Sequence, residues 1–166
     1  HTISVWAIPL LVAITFHEAA HGFVAWRLGD NTAFLRGRVS FNPFRHLDPL
    51  GTVILPGLVL LGSGGKMMFG FAKPVPVNFS RLLSPRRDMV FVALAGPVIN
   101  VILAFISALL MHIVTYLSGD ASEWLLLNLS NSIYLNLILA VFNLIPLPPL
   151  DGGRVAIGLL PQTLAI

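Results

Sequence analysis

The sequence predicts an all-α integral membrane protein with three core transmembrane helices, a re-entrant segment and a small β element on the cytoplasmic side. Three observations carry this expectation. Hydrophobic residues make up 56% of the 166 residues and charged residues 10%, whereas ordinary soluble domains hold roughly 45–50% apolar and about 25% charged residues. Three apolar runs are long enough, at a helical rise of about 1.5 Å per residue, to cross a hydrocarbon layer of about 30 Å. Nine of the ten basic residues fall between Arg27 and Arg87, in the connection between the first two runs. That asymmetry speaks to orientation across a membrane, and the net charge of +3 is not a nucleic-acid signal.

No linker or low-complexity tract divides the chain, so residues 1–166 read as a single domain. The chain opens on His1 without a methionine and its first apolar run begins at once, which reads as a piece that has lost something upstream. Cysteine is absent. Disulfides and thiolate ligands are therefore excluded, and any metal must use His, Asp or Glu.

Thr2 to Leu28 is apolar except around residues 17–21 and forms the first spanning helix. It is too long for a signal peptide, and neither a basic stretch before it nor a small-residue cleavage site after it marks one. Gly29-Asp30-Asn31 ends this helix, and Arg38-Val39-Ser40-Phe41 reads as a short strand stopped at Asn42-Pro43. Leu50 to Leu61 is apolar but short and interrupted by Gly51, Pro56 and Gly57, the pattern of a re-entrant or interfacial segment. Lys66 to Val77 alternates apolar residues with Gly and Pro, as an edge strand pairing with the earlier one would.

Pro85-Arg86-Arg87-Asp88 opens a second long helix to about Leu117, Ser118 to Glu123 is a tight polar turn, and a third helix ends near Leu144. The positive-inside rule puts Arg27 to Arg87 in the cytoplasm and the turn with Asp120 and Glu123 outside. Trp6, Tyr116 and Trp124 then lie near the outer boundary and Trp26 near the inner one, as aromatic belts.

The chemistry is carried by His17-Glu18-Ala19-Ala20-His21, an H-E-x-x-H on a predicted helix. A spacing of four puts both imidazoles on one face, one turn apart, where they can share a metal with Glu18 beside them as general base. Chance could produce such a pattern in a soluble helix. Inside a membrane each ionisable group costs several kcal/mol unless it is paired, liganded or wet, which argues against accident. Two histidines leave zinc needing a third protein ligand with a fourth position open. Asp151 is the candidate, in Asn143-Leu144-Ile145-Pro146-Leu147-Pro148-Pro149-Leu150-Asp151-Gly152-Gly153, where prolines end the third helix and turn the chain back. The competing reading makes Asp151 the N-cap of a last short helix beginning at Gly152. Gly96, Asn100, Ala104 and Ala108 form a small-residue stripe on the second helix, read chiefly as packing. Asn100 stands equally as helix glue or as a group at a developing oxyanion. His46 reads as a loop residue and His112 lies towards the wrong end, so both are set aside.

Taken together, His17-Glu18-x-x-His21, Gly96-Pro97-x-x-Asn100 and Asn143-x-x-Pro146-x-Pro148-x-Leu150-Asp151-Gly152 resemble the site-2 proteases, intramembrane zinc metalloproteases, in order. Gly29-Asp30, Gly37-Arg38, Asn42-Pro43, His46-x-Asp48-Pro49-x-Gly51 and Phe69-Gly70-x-Ala72-Lys73-Pro74-Val75-Pro76-Val77 look like the compact bacterial and archaeal branch. The resemblance implies a zinc-dependent endopeptidase in a prokaryotic cell membrane, cutting transmembrane protein substrates on the cytoplasmic side. By position it implies Zn2+ on His17, His21 and Asp151, Glu18 activating water, and Asn100 and Asn143 as further polar groups at the site. It also implies that an unwound substrate adds as a strand to residues 66–77. Set against larger relatives, these 166 residues are not expected to hold a PDZ domain, a CBS domain or flanking helices. The alternative is a non-proteolytic zinc-binding membrane protein, a transporter or sensor, which would need a polar path across the outer halves of the helices. Those halves offer little beyond Thr15, Ser107, His112, Asn131 and Asn136. A protease-derived scaffold would have no use for Glu18.

Overall fold

Large apolar side chains face outward and small or polar ones face inward, the reverse of a water-soluble core. On one helix Val98, Ile102, Phe105, Leu109 and Ile113 are exposed, while Gly96, Asn100, Ala104 and Ser107 are buried. Such a surface suits lipid, where close approach of small residues and interhelical hydrogen bonds hold helices together. The computed structural model describes residues 2–46, 54, 58, 61–62, 74–114, 116 and 119–161. Its long helices are α1 (Thr2–Arg27), α3 (Pro85–Val114) and α4 (Asp120–Asn143), with a single-turn α2 (Thr32–Leu35) and a terminal α5 (Asp151–Leu159). The three long helices are long and apolar enough to cross a membrane.

Cross-helix contacts set their directions. Trp124 donates to Ser4 Oγ (3.1 Å) and the rings of Trp6 and Tyr134 meet edge-on at 6.3 Å, so α1 and α4 run parallel. Ser107 and Ser132 hydroxyls pair at 2.8 Å, and Asn100 bonds Asn136, which sets α3 antiparallel to α4. Pro9 lies inside α1 and has no N–H for the Val5 carbonyl one turn back. The Asn131 side chain of α4 donates to that carbonyl instead, at 2.8 Å. A backbone group freed by proline thus becomes an interhelical link.

The ends of the helices are closed by their own sequence. Gly29 takes φ +110°, and the N–H groups of Gly29 and Asp30 bond the carbonyls of Trp26 and Ala25, a Schellman stop for α1. Asp30 then accepts from Thr32 and from the Asn78 N–H (2.6 Å), tying the loop after α1 to the segment before α3. Behind this tie Ala25, Leu82 and Val92 form a small apolar core. Pro85 takes the first position of α3, and Asp88 reaches back to the Ser84 N–H at 2.7 Å.

Among the described residues there is no strand. The expected strand at Arg38–Phe41 is irregular backbone, because local partners take its ladder groups: Arg38 N–H donates to the Ala33 carbonyl and the Ser40 carbonyl bonds the His46 ring. The expected re-entrant segment, Leu50 to Leu61, and residues 66–73 of the expected edge fall almost wholly outside the described residues; residues 74–78 are without regular structure.

Candidate metal centre

H-E-x-x-H falls in the C-terminal half of α1, and its spacing does what helical periodicity requires: His17 and His21 sit on one face, their rings 4.7 Å apart. The chain reversal after α4 delivers the third group. Asp151 is the first residue of α5 with Leu150 as its N-cap, so the expected alternative of Asp151 capping a helix from Gly152 does not hold. Its carboxylate points at the histidines. His17 Nε2 and His21 Nε2 lie 3.1 Å apart, and each lies 3.2 Å from Asp151 Oδ2. All three residues are buried, and they form the one grouping of three metal-capable side chains among the described residues.

The tautomers follow from what stands behind the rings. His17 Nδ1 is 2.6 Å from Asn100 Oδ1, and His21 Nδ1 is 2.7 Å from the Val92 carbonyl oxygen. Both partners accept, so both Nδ1 atoms carry the proton and both Nε2 atoms present lone pairs. Three acceptors, one of them the buried and unsatisfied Asp151 Oδ2, therefore face each other. Without a cation that arrangement is repulsive and leaves a charge unsolvated. Donors 2.0–2.2 Å from a tetrahedral zinc stand roughly 3.3–3.5 Å apart, which the observed triangle approaches closely. The outer hydrogen bonds to Asn100 and Val92 are the kind that orient zinc-binding histidines.

Glycines make the room. A Cβ on Gly96 would lie 2.5–2.6 Å from the His17 and His21 rings, so this residue, expected to serve packing, bounds the metal position. A Cβ on Gly152 would meet the Leu144 carbonyl oxygen at 2.2 Å, and one on Gly153 the Pro148 nitrogen at 2.6 Å. Only glycine lets the start of α5 lie against the 144–148 turn and so bring Asp151 inward.

Glu18, next to the ligands and half-buried, accepts the Val75 N–H at 2.7 Å through Oε2. Asn100 is fully buried, with its oxygen on His17 and its nitrogen on Asn136 Oδ1 (2.8 Å). Asn143 donates to its own helix at the Leu139 carbonyl (2.9 Å). His46 is buried in the loop against Ser40, away from the triangle, and His112 is exposed near the far end of α3. Three participants escaped the sequence reading: the Val92 carbonyl, the Val75 N–H and Asn136. Backbone groups leave no sequence signal, and the signal for Asn136 was only that it is an amide in an apolar run.

Two histidines and an aspartate, buried and facing one another in a chain with three helices apolar enough to cross a membrane, with a glutamate alongside, form a grouping that could hold a metal ion, the arrangement of a membrane metalloenzyme. The chain belongs to peptidase family M50, the site-2 proteases. The pattern of Peptidase family M50 matches residues 110–165. The chain is 44% identical to the Bacillus subtilis protein YwhC, named as a zinc metalloprotease, over 93% of this chain and 68% of that protein. It is 34% identical to Rip2 of Mycobacterium tuberculosis, over 86% of this chain and 52% of the relative, and 32% identical to MJ0611 of Methanocaldococcus jannaschii, over 93% and 71%. Both carry names as zinc metalloproteases. The chain thus spans about half the length of the mycobacterial relative. No solved structure matches it.

Proposed function

We propose that this chain hydrolyses peptide bonds of transmembrane protein substrates at a zinc ion held by His17, His21 and Asp151, as an enzyme of the H-E-x-x-H type. The observation that carries the reading is the triangle of three facing acceptors, 3.1–3.2 Å on a side, with Glu18 adjoining it. When bound, zinc supplies Lewis acidity, lowering the pKa of a water towards ~7 and polarising a carbonyl. Glu18 takes the proton from the attacking water and passes it to the leaving nitrogen. Its Oε2 is oriented by the Val75 N–H, so the backbone at 74–77 flanks the reacting position. That contact supports residues 74–77, the described part of the expected edge, as backbone to which an unwound substrate is added through main-chain hydrogen bonds. Asn100 acts through His17 rather than on substrate, since both ends of its amide are engaged; Asn143 borders the turn that carries Asp151. The site opens towards the cytoplasm of a prokaryotic cell, since the basic connection adjoins the same helix ends.

The test is zinc content and cleavage of a transmembrane peptide by the detergent-purified chain. Glu18→Gln keeps zinc and loses cleavage, while Asp151→Ala loses both. Zinc binding without cleavage in the parent, unchanged by Glu18→Gln, would instead favour a zinc-binding transporter or sensor.

A further inference from the structure

The polar contacts behind His17 do not end at Asn100. They continue into α4, and their direction is determined at the far end. The Ser132 carbonyl can only accept, so the Asn136 side chain presents Nδ2 to it, at 2.8 Å. Asn136 Oδ1 therefore faces α3 and accepts from Asn100 Nδ2 at 2.8 Å. Asn100 Oδ1 is then turned to His17 Nδ1, at 2.6 Å, and accepts from it. Reversing Asn136 would set its oxygen against the Ser132 carbonyl and its nitrogen against that of Asn100. Both asparagines are 0% exposed, so no water offsets such a mismatch. His21 needs no such chain, because the Val92 carbonyl is an acceptor by nature.

We propose that Asn136 is a positioning residue for the metal centre: the relay from the Ser132 carbonyl through Asn136 and Asn100 holds His17 as the Nδ1–H tautomer, with the Nε2 lone pair facing Asp151 and His21. The inference rests on the metal-centre reading above. The relay draws one side chain from each long helix, with the Ser132 carbonyl of α4 fixing its direction, so seating of α4 against α3 and the ligand state of α1 are one event. Without the Asn136 oxygen, the Asn100 amide is free to turn, offer its nitrogen to His17 Nδ1 and leave the proton on Nε2, where a metal cannot bind.

The experiment uses the whole chain in detergent, labelled with 15N-histidine, stripped of zinc and held well above the ordinary imidazole pKa. Long-range proton–nitrogen spectra separate the two tautomers at His17, and chelator competition measures zinc affinity. The zinc-free parent shows Nδ1–H at His17. Asn136→Leu populates Nε2–H and weakens zinc binding by about tenfold to a hundredfold, the range for loss of outer partners of metal-bound histidines. Asn136→Asp, which as the buried acid donates its O–H to the Ser132 carbonyl and keeps an acceptor towards Asn100, retains the parental tautomer and binds zinc within a few-fold of the parent. A residue that merely glued α4 to α3 would lower thermal stability in Asn136→Leu and leave the tautomer unchanged, and that result overturns the proposal. So does an Nε2–H tautomer in the parent, whether or not any variant folds. A parent with the expected tautomer that binds no zinc defeats the metalloprotease reading and leaves the relay standing.

Discussion

At the scale of single residues, the site depends on an atom that is absent. Gly96 carries no Cβ, and one placed there would stand 2.5–2.6 Å from both histidine rings. Gly96→Ala should therefore cost tenfold or more in zinc affinity by chelator competition, although alanine is the better helix former by about 1 kcal/mol. Undiminished zinc binding in that variant would mean that the rings do not hold the observed position. Asp30 offers a second test, away from the membrane spans. Burial works against its charged form, but hydrogen bonds from Thr32 and from the Asn78 N–H, with Arg81 nearby, outweigh burial and hold its carboxyl below the usual range. A depressed folded-state pKa stabilises above the unfolded value of about 3.9 and stops doing so as pH falls through the folded value. Asp30→Asn should melt earlier than the parent at neutral pH, and the gap should close in scans taken progressively below about pH 4.

At the scale of elements, proline and asparagine act as a pair. Pro9 leaves the Val5 carbonyl without its helical donor and Asn131 supplies one from α4. Asn131→Leu should destabilise the bundle by about 0.6 kcal/mol and by no more than about 1.7 kcal/mol, the average and the maximum for hydrogen bonds between membrane helices. In a Pro9→Ala background, where the helix can provide its own N–H, the same change should cost less. Additive losses in denaturation by detergent exchange would rule the pairing out. The connection from α4 into α5 works differently, because its glycines are constrained by backbone atoms: a methyl on Gly152 meets a carbonyl at 2.2 Å. Gly152→Ala should lose zinc together with the placement of Asp151, with far-ultraviolet helix content retained.

At the scale of the whole molecule, one end of the bundle collects the basic residues and the other the turn at 119–123. The absence of cysteine makes orientation simple to test, since single cysteines at exposed Ser80 and Ala121 have no background. In intact cells a membrane-impermeant maleimide should label Ala121→Cys and spare Ser80→Cys until the membrane is opened; the opposite pattern would invert the topology. The three spans, their ends and two of the three members of the buried triangle were legible from local signals. Apolar length set the helices, Gly29 and Pro85 set boundaries, and a spacing of four sufficed to put His17 and His21 on one face. The strand expected at 38–41 failed because its alternation competed with loop contacts that no local pattern registers. Asp151 was reachable only as a candidate, since a helix-start aspartate has the same local sequence whether it caps or ligates. What the sequence determined by itself was everything governed by neighbours along the chain: solvent, periodicity, termini and the pair of histidines. What only the tertiary structure decided was which lone pairs face each other, because the Asn100, Asn136, Val92 and Gly96 contacts join residues 36 to 83 positions apart through packing that no local spacing encodes.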